Sequence, residues 1–271
     1  MRTTRMAWVL STTAVLLAAI VWTTVGDVQA QQSQQTPQRV LVRVRQVKPE
    51  MVPAFEDLIK NVVAPALKKA GVPWFQSWAM VTGDVNTRVS VQPFGDYADF
   101  DEAPGGANVA LQRALGADGY QLYLAKVRQT TVTTQTIVQT LRQDLSVRSN
   151  SSTPPPLMVL RSIQLLPGKG DEFTKVMTSD YLPALKKAGI KDYWVYATNF
   201  GAPQGQFVFV DPLGKYAELG RGGPLIRSGV LTAEAVAPVN ARLNALITSS
   251  EVNIYRFLPD LSFGMPGKVV N

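Results

Sequence analysis

The heptapeptide PALKKAG, from Pro65 to Gly71, decides the fold because it returns letter for letter from Pro183 to Gly189. The similarity continues on both sides of this repeat, and Arg43 of the first copy aligns with Arg161 of the second. A collinear match of this extent indicates that a unit of roughly a hundred residues has been duplicated, which is the size of a small domain.

Each copy predicts the same order of elements: strand, helix, strand, strand, helix, strand. In the first copy, alternating apolar residues predict strands, and apolar residues three and four positions apart predict helices. Pro65 should kink or divide the first helix, and Gly71 should end it. The predicted elements are strand 40–45, helix 54–70, strands 74–81 and 88–92, a mostly helical stretch 96–130 and strand 132–141. Those of the second copy are strand 157–165, helix 171–188, strands 193–200 and 206–210, a mostly helical stretch 216–247 and strand 251–258.

This order is that of a ferredoxin-like unit, whose sheet carries helices on one face and needs cover on the other. With two copies, the chain resembles the dimeric α+β barrel superfamily, in which two such units form one barrel. The resemblance spans about Val40 to Ser262 and implies an α+β fold in which two tandem units make an intrachain barrel. It also implies the range of roles found in the superfamily: cofactor-free oxygenases, isomerases, haem-degrading enzymes and stress-associated binding proteins.

The chain divides into six predicted regions. Arg2 and Arg5 precede an apolar stretch that ends near small residues, which is typical of a signal peptide. An uncleaved membrane anchor is the alternative, because the apolar stretch is almost long enough to span a bilayer. The regions are a signal peptide (1–30), a flexible leader (31–39), repeat 1 (40–149), a Ser/Thr/Pro linker (150–156), repeat 2 (157–263) and a tail (264–271). Cleavage would make this an exported protein, periplasmic or extracellular, with no membrane span left.

Neither cysteine nor histidine occurs in the chain. Their absence excludes Ser-His-Asp and Cys-His nucleophile systems, histidine-ligated haem and the usual zinc sites. We therefore expect neither a metal nor a cofactor. The formal charge is +7, but the basic residues are scattered and form no nucleic-acid motif, so we expect no nucleic-acid partner. The sequence leaves open whether the protein forms a homo-oligomer.

Strand alternation predicts which side chains face the barrel interior. If Val40, Val42 and Val44 pack against the helices, then Arg43 and Arg45 point inward. The predicted outcome is an aromatic cavity that carries arginines, suited to a planar body with a carboxylate or phosphate. An alternative is that the arginines pair with protein carboxylates and the rings are packing residues. The candidate ligand-binding residues are Arg43, Arg45, Gln76, Trp78, Arg88, Arg161, Trp194, Tyr196 and Tyr255.

Three functions follow from this sequence. The first is an exported, non-catalytic small-molecule-binding or stress-associated protein with an internal barrel pocket for an anionic or aromatic ligand. The second is a cofactor-independent oxygenase or isomerase of the same superfamily, in which Tyr, Asp and Arg replace histidine in proton transfer. The third is a structural or assembly protein that pairs with partners through exposed strand edges.

Overall fold

The computed structural model describes residues 38–101, 108–149 and 153–265. The described residues fall within one compact unit. The predicted signal peptide and most of the leader lie outside them, as do residues 150–152 of the linker and most of the tail. Among the described residues, no helix combines the length and the apolar character that crossing a membrane requires.

Eight strands and seven α-helices carry the fold in the described ranges. The strands are β1 (Arg39–Val47), β2 (Gln76–Met80), β3 (Thr87–Phe94), β4 (Thr131–Leu141), β5 (Leu157–Leu165), β6 (Trp194–Phe200), β7 (Gln206–Leu213) and β8 (Ile247–Phe257). The helices are α1 (Val52–Leu58), α2 (Ala64–Lys69), α3 (Val109–Thr130), α4 (Gly170–Val176), α5 (Leu182–Lys187), α6 (Pro224–Arg227) and α7 (Ala233–Asn244). β1 begins at Arg39, so the last residue of the predicted leader belongs to the barrel.

The eight strands close into a barrel in the order β1-β3-β2-β8-β5-β7-β6-β4. Within each half the neighbouring strands are antiparallel and follow the order fourth, first, third, second. The halves meet at two seams, where β2 pairs with β8 and β4 pairs with β6. The closed barrel that the sequence predicts is therefore present, and every described strand has a neighbour on both sides.

The repeated PALKKAG segment forms the same irregular helix in both halves. A π-helical turn at Ile59–Val63 joins α1 to α2, and a second one at Met177–Tyr181 joins α4 to α5. In each case the turn lies just before the proline, which lacks an N–H and whose ring would clash with the carbonyl four residues earlier. The interruption predicted at Pro65 is thus confirmed as a wide turn within a continuous helix.

Three apolar layers hold the barrel. One lies between the helices and the sheet of the first half and contains Phe55, Leu67 and Tyr123. A second occupies the equivalent place in the second half, around Phe173 and Leu185. The third lies inside the barrel and is built from residues of both halves, among them Trp78, Met158 and Tyr255. The inner layer therefore depends on barrel closure, because neither half supplies all of it.

The seam between β4 and β6 depends on a glycine. Gly201 follows β6 with a φ of +87°, and a Cβ there would lie 2.1 Å from the carbonyl oxygen of Thr136 in β4. Gly168, in the turn after β5, has a similar φ of +77° but nothing within 4 Å of a Cβ. An L-residue at either position would have the strain of a left-handed backbone. Only at Gly201 would its Cβ also clash with the backbone of a neighbouring strand.

We predict that Gly201→Ala lowers the free energy of unfolding by about 3 kcal/mol or more, because the seam must shift to accept the methyl group. Gly168→Ala, the matched control, should cost only the left-handed strain of about 1–2 kcal/mol. Urea denaturation of both variants measures the difference. Equal losses would show that the close approach at the β4–β6 seam has no energetic consequence.

Candidate functional site

The interior of the barrel contains a cavity of about 280 Å³. Its wall is formed mainly by inward-facing residues from all eight strands, and about half of these side chains are aliphatic. The aliphatic residues that line it include Val40, Val42, Val44, Val89, Val91, Ile137, Met158, Leu160, Val208 and Val210. This cavity is called the lumen below.

Aromatic side chains from both halves line the lumen. Trp78 on β2 is 2% exposed, and its ring centroid lies 5.0 Å from that of Phe257 on β8. Tyr255, Trp194 and Tyr196 line the same space. Aromatic rings on several sides of an apolar cavity suit a flat, apolar ligand.

The lumen wall also carries polar side chains: besides the tyrosines, these are Gln76, Gln135, Gln139, Ser162, Gln206, Glu251 and Asn253. The amide nitrogen of Gln139 donates to Thr198 Oγ1 at 3.3 Å, and that of Gln76 donates to the sulfur of Met265 at 3.9 Å. The indole N–H of Trp194 is buried and has no hydrogen-bond partner within the described part of the chain. The polar groups of the wall are therefore mostly neutral amides, hydroxyls and one free donor.

The two tyrosines of the lumen keep their protons at neutral pH. Burial raises the pKa of Tyr196 to about 12, although Arg148 opposes the shift. Burial also raises the pKa of Tyr255, and the nearby charge of Glu251 raises it further. Because a phenol with a raised pKa releases its proton only in strong base, both hydroxyls are neutral hydrogen-bonding groups rather than bases.

Glu251 is the one charged side chain that lines the lumen within the described ranges. Its carboxylate accepts a hydrogen bond from the side-chain nitrogen of Asn253 at 2.6 Å. Glu251 itself is exposed, so its carboxylate lies at one end of the lumen in contact with solvent. This is where a proton could leave the cavity.

A second cavity of about 340 Å³ shares part of the lumen wall, including Trp74, Gln76 and Trp194. We call it the mouth. The described linker residues, Thr153 to Pro156, form one side of it. Arg148 donates to Gln38 Oε1 at 2.8 Å there, and the backbone and hydroxyl of Ser149 both donate to Asp192. The linker thus forms a wall of the entrance as well as joining the halves.

The prediction that arginines line the cavity is wrong. Val40, Val42 and Val44 face the lumen, so Arg43 and Arg45 face the helices on the other side of β1. The reason is physical: a closed barrel excludes water from its interior, and the apolar face of the strand is the one that belongs there. The arginine face lies under α3, where polar side chains can accept its hydrogen bonds.

Arg43 and Arg45 contact neutral acceptors beneath α3. Arg43 donates to Asn108 Oδ1 and to Gln92 Oε1, and burial lowers its pKa to about 10. Arg45 donates to Tyr123 Oη at 3.0 Å and to Ser90 Oγ at 3.3 Å. Its guanidinium also lies 5.7 Å from the ring centroid of Phe55. A cleft of about 590 Å³ borders both arginines outside the barrel.

The other two arginines are also outside the lumen. Arg88 forms an ion pair with Glu56 of α1 at 2.8 Å. Arg161, the repeat partner of Arg43, donates to Ser250 Oγ at 2.8 Å and to Asn244 Oδ1 at the end of α7. Both are therefore placed to tie the sheet to its own helices, and the alternative in which an arginine pairs with a protein carboxylate applies to Arg88.

The structure brings five of the nine candidate residues together in the lumen: Gln76, Trp78, Trp194, Tyr196 and Tyr255. That they bind a ligand stays a prediction. Sequence reasoning missed Glu251 and the aliphatic wall. Gln139 aligns with Tyr255 between the repeats but was not included among the candidate residues; it lines the lumen beside Val40, with which it pairs in register, because paired strands share their faces. In the described ranges, no group of three or more acidic side chains is placed to hold a metal ion.

Comparison with known proteins finds solved structures of similar fold. No family model matches this chain, and no curated protein has a similar sequence. Among solved structures, an anthrone oxidase-like protein has a TM-score of 0.57 at 10% identity, covering 87% of this chain and 96% of its own. A candidate monooxygenase from Lactobacillus acidophilus NCFM has a TM-score of 0.54 at 6% identity, with 84% and 96% covered. A candidate monooxygenase from Fusobacterium nucleatum has a TM-score of 0.52 at 12% identity, with 83% and 94% covered.

At these identities the similarity establishes the fold alone. The similarity extends over almost the full length of these three proteins. The closed barrel itself agrees with the fold that the sequence predicts.

We predict that Val42→Trp and Arg43→Met, at adjacent positions on opposite faces of β1, differ in their effect on ligand binding: the first abolishes it and the second leaves it almost unchanged. An uncharged naphthalene dye whose emission reports polarity should bind the wild-type protein in an apolar environment. Val42→Trp should abolish this emission because the indole fills the cavity, whereas Arg43→Met should leave the affinity within about twofold.

Fluorescence titration of the two folded variants measures these affinities. A loss of dye binding in Arg43→Met, with retention in Val42→Trp, would place the binding site under α3 instead of in the lumen.

Proposed function

We propose that this protein takes a planar, uncharged aromatic ketone or phenol into the barrel lumen and oxygenates it with O₂. The observation that carries the proposal is the lumen itself: a cavity with aliphatic walls, aromatic rings from both halves, and polar groups that are neutral apart from Glu251 at one end. The similarity of the fold to an anthrone oxidase-like protein and to candidate monooxygenases supports oxygenation over simple binding. The position of the arginines outside the lumen argues for an uncharged ligand and against an anionic one.

The reaction uses an acidic C–H bond of the substrate. For anthrone, the ring carbon opposite the carbonyl loses a proton, and the resulting carbanion transfers an electron to O₂. Recombination of the two radicals and return of a proton form a hydroperoxide, which loses water to give anthraquinone. One oxygen atom of O₂ becomes the second carbonyl oxygen of anthraquinone and the other leaves in water, so O₂ is the only oxidant required.

The residues of the lumen have separate roles in this proposal. Trp78, Tyr255 and the aliphatic wall hold the rings of the substrate and exclude water. Glu251 accepts the proton, since it is the carboxylate at the end of the lumen and its position is fixed by Asn253. Tyr196 and Tyr255 stay protonated and act as neutral hydrogen-bonding groups, so they do not replace histidine as bases.

A second candidate function is the non-catalytic binding of the same class of molecule. It is favoured by the absence of any carboxylate deeper in the described lumen wall than Glu251, which is solvent-exposed. The assembly role has less support, because each described strand already pairs on both edges. We further infer that the halves are tandem ferredoxin-like units, and we propose that residues 1–30 direct export.

We predict that the wild-type protein accelerates O₂ uptake by anthrone over the spontaneous reaction. Glu251→Gln should reduce the enzymatic rate by about 10²-fold or more, since general base catalysis contributes factors of this size. An oxygen electrode and the absorbance of anthraquinone measure the reaction.

The matched control is Asp192→Asn, which changes a carboxylate of the mouth that already accepts two hydrogen bonds from Ser149. It should keep the wild-type rate within about threefold. Tight binding of an aromatic ketone without any acceleration of O₂ uptake would contradict the oxygenase proposal and favour the non-catalytic binder.

A further inference from the structure

The indole N–H of Trp194 is a buried donor without a partner in the described part of the chain. Buried polar groups in folded proteins are almost always hydrogen-bonded, and an unpaired one lowers stability. When such a donor borders a cavity, a ligand atom is a reasonable partner for it. An indole can only donate, so that partner must be an acceptor.

Trp194 lies where the lumen meets the mouth, and its side chain lines both cavities. It is the first residue of β6, and it pairs in register with Val210 of β7 inside the barrel. A ligand that enters through the mouth must pass this residue before it reaches Trp78. The donor is therefore placed to bind the end of the ligand that stays nearest the entrance.

The repeat partner of Trp194 is Gln76, which is the first residue of β2 and lines the same two cavities. Within the described residues, the amide nitrogen of Gln76 donates to the sulfur of Met265 at 3.9 Å, and thioether sulfur is a weak acceptor. Equivalent positions of the two halves thus bring two neutral donors to one junction. Neither donor carries a charge, so the junction suits a carbonyl oxygen better than a carboxylate.

We propose that Trp194 determines ligand specificity by donating its indole N–H to a carbonyl oxygen, with Gln76 as the second donor. This inference rests on the proposed function and narrows its ligand class to planar aromatics that carry a ketone or quinone oxygen at one edge. The oxygen lies at the junction of mouth and lumen, and the rings lie between Trp78 and Tyr255. A hydrocarbon of the same shape would make the same ring contacts but could not accept the hydrogen bond from Trp194.

The test compares 9-fluorenone with fluorene, which differ at one ring position by a carbonyl in place of a methylene group. Equilibrium dialysis gives the dissociation constant of each ligand for the wild-type protein and for Trp194→Phe, which keeps an aromatic ring and removes the N–H. We expect Trp194→Phe to weaken fluorenone binding by about five- to tenfold, as the loss of a neutral hydrogen bond to a buried carbonyl does. Fluorene binding should change by less than about twofold.

Trp78→Phe is the matched control, because it makes the same substitution within the lumen at a ring that packs on Phe257. It should weaken the binding of fluorenone and of fluorene by the same factor. Circular dichroism and thermal melting establish that both variants fold. If Trp194→Phe weakens the binding of both ligands equally, or of neither, Trp194 does not donate to the carbonyl oxygen, although binding in the lumen still stands. If the wild-type protein binds neither ligand, the proposed function fails, and the specificity role of Trp194 fails with it.

Discussion

Closure of the barrel is the constraint on which the rest of the structure depends. Two short strand pairings join the halves, β2 with β8 and β4 with β6, and they convert two one-sided sheets into one closed surface. Closure gives the sheets an inner face that water cannot freely reach, so that face must be covered by apolar side chains. The inner apolar layer contains residues of both halves, which makes the cavity a property of the whole chain.

The sequence was sufficient to predict the barrel, because duplication and element order do not depend on knowing which face of a strand is buried. PALKKAG marks the same helix in both halves, and strand alternation marks the sheets. The face of β1 could not be assigned in this way, since both of its faces are covered. Val42 is apolar and half-buried in the lumen, whereas Arg43 is charged and yet buried under α3. Acceptors distant in sequence explain how the arginine face is accommodated: Gln92 and Ser90 on β3, and Asn108 and Tyr123 at α3.

The candidate site was predictable to the extent that its residues are aromatic. Trp78, Trp194 and Tyr255 were all among the candidate residues, and all three line the lumen. Contacts between distant segments were beyond sequence reasoning. The linker contributes a wall of the mouth, and Met265 of the tail accepts from Gln76. The position of the arginines also changes the expected chemistry: no cation lines the described lumen wall, which is why the proposed ligand is an uncharged aromatic molecule.

The most direct test of this account is a crystal structure of the protein grown with 9-fluorenone. The account predicts density for the three fused rings inside the barrel, next to Trp78 and Tyr255, with the carbonyl oxygen within hydrogen-bonding distance of the Trp194 indole nitrogen. Arg43 and Arg45 should keep their contacts beneath α3. Ligand density in the cleft beside those two arginines, with the lumen closed by repacked side chains, would contradict the central claim that the closed barrel interior is the functional site.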